Sequence, residues 1–239
     1  LKTTDDDHFW TWMLLSSKWK DFDYNELENY KKMWDDEFDE YGNLTDASIR
    51  FWAKENNFAE FKKIRDNSIQ EHIQKTISNY TDFDIAKVLH LLYRQEFVLA
   101  AHEKKKWFRF RNHRWVKCEK GSALRLELST SVSKIYLENE QKMVDKVVNT
   151  TDDSEQLMCQ RKASKYAEIG LKLRRTAQKN NIMREAEDLF FDEGFLERID
   201  ANENLICFKN GVIDIKNKKF RCGTGSDYIT MCTNIPYVS

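Results

Sequence analysis

The chain has little glycine and almost no proline. Only 7 Gly and 1 Pro occur among 239 residues, and these residue types supply many tight turns and helix breaks. Their scarcity favours long helices and few structured loops. A hydrophobic fraction of 41%, with 15 Phe, 9 Tyr and 7 Trp, excludes a disordered chain and is large enough for a real core.

Cysteine is also sparse, and its spacing excludes two classes of site. No Cys-x-x-Cys occurs and no cysteine has a histidine at metal-ligand spacing, so we expect reduced thiols rather than a disulfide framework or a zinc site. The five residues are Cys118, Cys159, Cys207, Cys222 and Cys232.

Long apolar runs and targeting signals are missing as well. No run of about 18 apolar residues exists, and the opening Lys2-Thr3-Thr4-Asp5-Asp6-Asp7 is not a signal peptide. We therefore expect an intracellular protein that is not secreted and does not contact a membrane. Because the first residue is Leu1, we also expect a piece of a longer protein.

Recognisable catalytic motifs are absent. No G-x-x-x-x-G-K-[ST] phosphate loop occurs, and Gly223-Thr224-Gly225 lacks the lysine that such a loop needs. Acidic runs such as Asp35-Asp36-Glu37 and Asp152-Asp153 are typical of solvated faces or helix N-termini, not of divalent-metal clusters. We expect no catalytic residue, no metal ligand and no cofactor in this chain.

The net charge of −1 conceals strong segregation of charge. Lys104 to Arg125 carries nine basic residues and one acidic residue, and Arg161 to Arg184 carries eight and one. Glu185 to Asn204 reverses the balance, with eight acidic residues and one basic residue. Such blocks create local fields that attract charged partners. The second basic block (Lys172, Arg174, Arg175, Lys179) fits a neighbouring subunit or an acidic partner as well as it fits nucleic acid.

Hydrophobic periodicity predicts a mainly α-helical α+β fold. Ile69, Ile73 and Ile77 recur at helical spacing, and Thr81 followed by Asp84 predicts a capped helix start. Longer helices are predicted over residues 122–148 and 155–179, with a shorter one over 183–191. Short alternating segments predict β-hairpins near residues 97–118 and 205–222. We expect two domains, a helical module over residues 1–79 and a second domain over residues 80–239.

The first hairpin interleaves cations with aromatic residues. Cations neutralise phosphates, and exposed aromatic faces can stack unpaired bases. Strand alternation places Trp107, Arg109 and Arg111 on one face and Phe108 and Phe110 on the other. A hairpin with core aromatics and merely solvated cations is the alternative. The candidate DNA-binding residues are Lys104, Lys105, Lys106, Trp107, Arg109, Arg111, His113 and Arg114.

The second hairpin contains the dipeptide Asn210-Gly211 between an apolar run and an alternating one. Asn-Gly tolerates the positive φ of a two-residue type I′ loop. We therefore predict that Gly211 has a positive φ, and that Asn210, Gly211 and Asp214 shape a structural turn.

These two regions together resemble a known family. Asn210-Gly211-Val212-Ile213-Asp214-Ile215 is similar to the "NGVxDL" signature upstream of the motor in primase-helicases of large DNA viruses, including poxvirus-type proteins, and in related phage and plasmid primases. The family's next segments are matched by Gly223, Phe220-Arg221, Asp227-Tyr228 and Pro236-Tyr237, and its "WYxF…HRW" by Trp107-Phe108-Arg109-Phe110 and His113-Arg114-Trp115.

The first part of the chain carries a looser resemblance. Thr45, Ser48-Ile49 and Trp52-Ala53 resemble a motif of the helical module that follows the catalytic domain in many primases. The resemblance implies a primase domain upstream of the chain and a hexameric superfamily III helicase motor, with ATP and Mg²⁺, beyond residue 239.

Taken together, the resemblance implies the non-catalytic middle region of a DNA-replication primase-helicase. Residues 80–239 would form a collar-like pre-helicase domain that supports hexamer assembly and contacts single-stranded DNA. Such a protein would act at viral replication sites in the host cytoplasm or nucleus. The resemblance also implies that Trp115 is a core residue.

Two other classes of protein fit the residues. One is a stand-alone winged-helix DNA-binding module, with its helix at Asp84 to Leu92 and its wing at Trp107 to Cys118. The other is a structural adaptor that contacts no nucleic acid.

Overall fold

The computed structural model describes Met13, Ser17, residues 23–36, Ala53 and residues 57–238. The chain divides into two compact units, residues 1–66 and residues 67–239. The motif residues Thr45, Ser48-Ile49 and Trp52 lie outside the described residues. The domain boundary between residues 79 and 80 stays a prediction.

Local caps define the described elements of the first unit. A 3₁₀ turn over Tyr24–Glu26 leads into α1 (Leu27–Asp36). The Asp23 carboxylate accepts the backbone N–H of Asn25 at 2.9 Å, and the Tyr30 hydroxyl accepts the backbone N–H of Asp23 at 3.1 Å. These bonds occupy donors that the start of a helix leaves free. Helix α2 (Phe58–Ser78) begins in this unit and ends in the second.

The second unit is α+β and mainly helical, as predicted, with two three-stranded antiparallel sheets. Its elements are α3 (Asp82–Tyr93), β1 (Phe97–Leu99), β2 (Lys106–Arg111), β3 (Arg114–Glu119), α4 (Ser122–Glu127), a π-helical turn (Leu128–Val132), α5 (Ser133–Asn149), α6 (Asp153–Lys172), α7 (Thr176–Phe190), α8 (Phe195–Arg198), β4 (Leu205–Phe208), β5 (Gly211–Asp214), β6 (Lys219–Arg221) and a 3₁₀ turn (Gly225–Asp227). No helix among the described residues is both long and apolar enough to cross a bilayer.

The main core joins the helices to one face of the first sheet. The stripe Ile69, Ile73 and Ile77 of α2 is buried, which confirms the predicted helix face. A polar contact crosses this core, since the Thr76 hydroxyl donates to the Ile73 carbonyl at 2.6 Å and lies 2.9 Å from the Tyr136 hydroxyl. Burial raises the pKa of Tyr136 above its usual range.

Helix α3 begins as its sequence predicts. The Thr81 hydroxyl accepts the backbone N–H of Asp84 at 3.0 Å and donates to the Asp84 carboxylate at 2.7 Å. Both the backbone N–H and the carboxylate of Asp84 therefore take part in the cap.

A π-helical turn keeps one stripe facing the core between α4 and α5. Leu124, Leu128, Val132 and Tyr136 are spaced by four residues, and all are 0% exposed. In a regular α-helix this spacing would rotate the last side chain by about 120° from the first, because each residue turns about 100°. The backbone N–H of Ser133 donates to Leu128 O, a five-residue step that absorbs one residue and removes most of the rotation.

The helix predicted over residues 155–179 is two helices. α6 ends at Lys172 and α7 starts at Thr176, so the single-helix prediction was wrong. Leu173 is fully buried at the break, and Arg174 Nε donates to Ser133 Oγ at 3.1 Å. Because tertiary contacts fix the break and residues 173–175 include no Gly or Pro, periodicity did not show it. The second basic block thus spans a turn rather than one helix.

The two sheets are built differently. The first, in the order β1-β2-β3, has its second face covered by a smaller cluster that includes Phe108, Trp115 and Phe195. The second, in the order β4-β5-β6, packs one face through Cys207 and Val212. Both hairpins predicted near residues 97–118 and 205–222 are therefore confirmed.

Gly121, between β3 and α4, has a φ of 65°. A Cβ there would lie 3.0 Å from Met183 Cε and 3.2 Å from the Trp107 ring. We expect Gly121→Ala to lower the free energy of unfolding by about 1–2 kcal/mol, the cost of a left-handed conformation for an L-residue, measured by urea denaturation. Gly194→Ala is the control, because its Cβ would meet only the flexible Arg198 side chain. Equal losses in the two variants would contradict the prediction.

Candidate nucleic-acid interface

The basic hairpin is a regular two-stranded ladder with a tight turn. β2 pairs with β3 from Lys106↔Glu119 to Arg111↔Arg114. Asn112 and His113 form the connection with φ values of 50° and 65°, the pattern of a two-residue type I′ loop. This hairpin, rather than the one at Asn210-Gly211, thus has the positive-φ turn.

Both faces of the hairpin are covered at its base. The Trp107 side chain is 1% exposed within the helical core, and the adjacent Phe108 is 2% exposed within the second cluster. This burial corrects the assignment of Trp107 to the DNA-binding residues, because a ring without a free face cannot stack a base. Trp115, at 6% exposure, is a core residue, as the resemblance implied.

The lysine end of the hairpin lies beside acidic groups of α7. Lys105 Nζ is 2.6 Å from a Glu187 carboxylate oxygen. Lys106 Nζ lies 5.7 Å from the centroid of the Phe108 ring, while Lys104 is exposed. The ion pair partly neutralises this end, so only Lys104 and Lys106 retain charge without an acidic partner among the described residues.

The arginine end carries more available charge. Arg109 already has two partners within the chain, since its guanidinium is 2.6 Å from a Glu96 carboxylate oxygen and 5.2 Å from the Phe97 ring centroid. Arg111 and Arg114 are directly opposite each other across the strands, and neither forms an ion pair within the described part of the chain. Like charges in opposed positions repel. A phosphate bound between these two arginines would relieve that repulsion.

His113 joins this tip to the second sheet. Its Nδ1 accepts the backbone N–H of Gly223 at 3.1 Å, which assigns the ring proton to Nε2. The carbonyl oxygen of His113 lies 3.8 Å from the Cys207 sulfur. Burial raises the pKa of the Cys207 thiol to about 11. His113 is therefore a structural link whose Nδ1 is already occupied.

The role predicted for Gly211 was wrong in its mechanism. Gly211 is the first residue of β5 and pairs with Phe208, and it is not among the described residues with positive φ. A Cβ at Gly211 would lie 2.6 Å from Arg221 O and 2.7 Å from Phe220 Cζ. Glycine is needed here because the β6 backbone and the Phe220 ring approach closely.

Asn210 and Asp214 each hold a turn through side-chain hydrogen bonds. The Asn210 side-chain amide donates to Tyr237 O at 3.0 Å, and its oxygen accepts Tyr237 N–H at 2.8 Å. Asp214 accepts the backbone N–H of Asn217 at 3.0 Å and its side-chain amide at 2.8 Å. These hydrogen bonds hold the pKa of the Asp214 carboxyl below its usual range.

Sequence reasoning missed an ion pair behind these turns. Arg221 donates to both carboxylate oxygens of Asp227, at 2.8 and 2.6 Å, and Asp227 also accepts the backbone N–H of Thr224 at 2.7 Å. Trp115 Nε1 donates to Gly225 O at 2.8 Å. Arg221 and Asp227 both matched the family signature, but six residues of separation did not reveal that they pair.

The described residues contain no group of three or more His, Cys, Asp or Glu side chains that could hold a metal ion. All five cysteines are free thiols. The geometry thus offers guanidinium and ammonium groups for binding an anion.

Comparison with known proteins agrees with the signature. Residues 86–239 match the family described as "D5 N terminal like". The chain belongs to this family.

Relatives of this family member are found in large DNA viruses. This chain is 28% identical over 215 residues to a "Putative helicase" of Acanthamoeba polyphaga mimivirus, and the match covers 88% of this chain and 22% of that protein. A "Putative helicase" of Invertebrate iridescent virus 3 is 27% identical over 225 residues, with coverages of 80% and 23%. The chain thus spans less than a quarter of the length of these relatives. The resemblance to viral primase-helicases is confirmed.

Gly211→Val tests why this family member has glycine at the start of β5. The valine Cβ would already lie 2.6 Å from Arg221 O and 2.7 Å from Phe220 Cζ, and overpacking of this kind costs about 1–3 kcal/mol. We expect a lower melting temperature by circular dichroism. Ile206→Val, at an exposed position of β4, is the control. A Gly211→Val variant as stable as that control would refute the close-approach explanation.

Proposed function

We propose that this chain is the non-catalytic middle region of a viral DNA-replication primase-helicase and that it contacts single-stranded DNA through the tip of the β2–β3 hairpin. The observation that carries the proposal is the cross-strand pair Arg111↔Arg114. Family membership supports the same reading, because the relatives are named as helicases.

The tip suits a phosphate for two reasons. A guanidinium presents paired N–H donors that match phosphate oxygens, and neutralising a phosphate releases counterions. The hairpin base is held by Trp107 and Phe108, so the arginines project from a rigid element. Lys106 lies five residues from Arg111, or about 16 Å along the strand, and would contact a different phosphate.

The whole-protein role follows from the family. We propose a primase domain upstream, and downstream a hexameric motor that uses ATP and Mg²⁺, with this chain as the collar-like part that supports assembly. The length of the relatives supports the idea, because this chain accounts for 22–23% of each of two of them. The setting would be viral replication sites in the host cytoplasm or nucleus.

The winged-helix alternative is less favoured by the geometry. Its recognition helix would be α3, but every residue from Ile85 to Tyr93 is buried or half-buried. The helix also begins with Asp82 and Asp84, which repel phosphate. An adaptor without DNA contact would have to offset the Arg111↔Arg114 repulsion through an acidic surface of its partner.

Removing both arginines tests the proposal. We expect Arg111→Gln/Arg114→Gln to weaken binding to single-stranded oligodeoxythymidine. The negative slope of log affinity against log salt should become less steep by about 1.4, for two lost phosphate contacts. Fluorescence anisotropy across a salt series gives both values. The control removes the same charge from the exposed residues Lys117 and Lys120, as Lys117→Gln/Lys120→Gln. If the two double variants change the affinity and the salt slope equally, binding depends on general electrostatic attraction and not on a specific site at the arginine tip.

The lysine end can be tested separately. We expect Lys104→Glu/Lys105→Glu/Lys106→Glu to weaken binding and flatten the salt dependence. Part of the loss would come from repulsion between Glu187 and the carboxylate introduced at position 105. An unchanged affinity and slope would show that this end is only a solvated surface.

ATP hydrolysis tests the non-catalytic assignment. Because the sequence lacks a phosphate loop, we expect phosphate release by the isolated chain to equal the background rate. Hydrolysis above background that is lost when a residue of this chain is mutated would contradict the assignment.

A further inference from the structure

Four residues of the family signature converge on one pair of rings. Asn210 holds the backbone of Tyr237 through two hydrogen bonds. Gly211 leaves the space into which the Phe220 ring fits. The Phe220 and Tyr237 rings then stack, with centroids 4.9 Å apart and planes 28° from parallel. The signature therefore positions an aromatic pair.

This pair lies on a sheet face that no described element covers fully. Ile206, Ile213 and Phe220 are directly paired across β4, β5 and β6, on the face opposite buried Cys207 and Val212. Ile206 and Phe220 are each 39% exposed. An antiparallel sheet usually shows polar residues on its solvated face, so an apolar row there indicates a binding surface.

The charges around this face favour a polyanion. Three lysines in the turns at the ends of its strands are exposed without an ion pair within the described residues: Lys209, Lys216 and Lys218. The Asp214 carboxylate does not border this face, because Asp214 is paired with Lys219 on the opposite face of the sheet. Aromatic rings bordered by lysines are the combination that holds single-stranded nucleic acid, with bases on the rings and phosphates on the cations.

We propose that this stacking face (Ile206, Ile213, Phe220, Tyr237) binds unpaired bases of single-stranded DNA, which stack on the Phe220–Tyr237 pair. The inference rests on the proposed function and deepens it, because the arginine tip would hold phosphates while a second surface holds bases. The two surfaces lie on opposite sides of the second sheet, since His113, between Arg111 and Arg114 in the chain, contacts Cys207 and the backbone N–H of Gly223. They would therefore hold different parts of one strand.

The test compares two ligands with the same phosphates. One is a single-stranded oligodeoxythymidine, and the other is an oligomer of equal length with abasic sites at every position. We expect the chain to bind the thymidine oligomer about tenfold more tightly, as one stacked base contributes. Phe220→Leu and Tyr237→Leu keep apolar bulk but lose a π face, so each should bring the ratio near one and leave the salt slope unchanged.

Two further variants separate stacking from other causes. Tyr237→Phe retains a ring and removes only a hydroxyl at a half-buried position. It should keep the tenfold preference, with a melting temperature near that of wild type. Arg111→Gln/Arg114→Gln should weaken both ligands and keep their ratio. If Arg111→Gln/Arg114→Gln changes neither affinity while Phe220→Leu still lowers the ratio, the proposed arginine contact is refuted and the proposed base stacking is retained.

Several results would overturn the inference. A wild-type chain that binds both oligomers equally has no stacking site, even if the arginine contact is real. If both leucine variants keep the preference for the thymidine oligomer, the site that binds bases is elsewhere in the chain. A leucine variant that alters the elution volume of the chain but not the ratio would identify the face as a contact between copies. If neither oligomer binds, base stacking and the phosphate contact both fail.

Discussion

The second unit depends on two adjacent residues that face opposite ways. Trp107 packs against Phe190 of α7, with ring centroids 5.6 Å apart, and Phe108 packs against Phe195 of α8 at 5.1 Å. Because strand alternation sends neighbours to opposite faces, one dipeptide ties the helical core to the smaller cluster. The hairpin is anchored at this point, and its arginine tip has a fixed position relative to both.

Much of the fold could be predicted because its signals are local. The stripe of Ile69, Ile73 and Ile77 and the Thr81 cap act within a few residues, and both occur as expected. The break at Leu173 depends on α5, through Arg174 and Ser133, which is 41 residues away. No local pattern encodes such a contact, so the sequence supported one long helix.

The candidate site could likewise be predicted in part, where its signals are local. Composition identified Arg111 and Arg114 as candidates, because both belong to one dense basic block. It could not show that Arg109 is paired with Glu96, 13 residues earlier, nor that Trp107 is covered by helices distant in sequence. Gly211 was singled out for the wrong reason, because the Asn-Gly preference concerns backbone angles, whereas its constraint comes from β6, ten residues later.

The π-helical turn after α4 has a consequence for comparing family members. It keeps a four-residue spacing in phase with the core by absorbing one residue. A relative with an unbroken helix would reach the same packing with one residue fewer. Aligned sequences would then show a single-residue gap inside a helix, near Leu128–Val132, where gaps are otherwise unexpected. Such a gap would mark a change in helix winding with the core preserved.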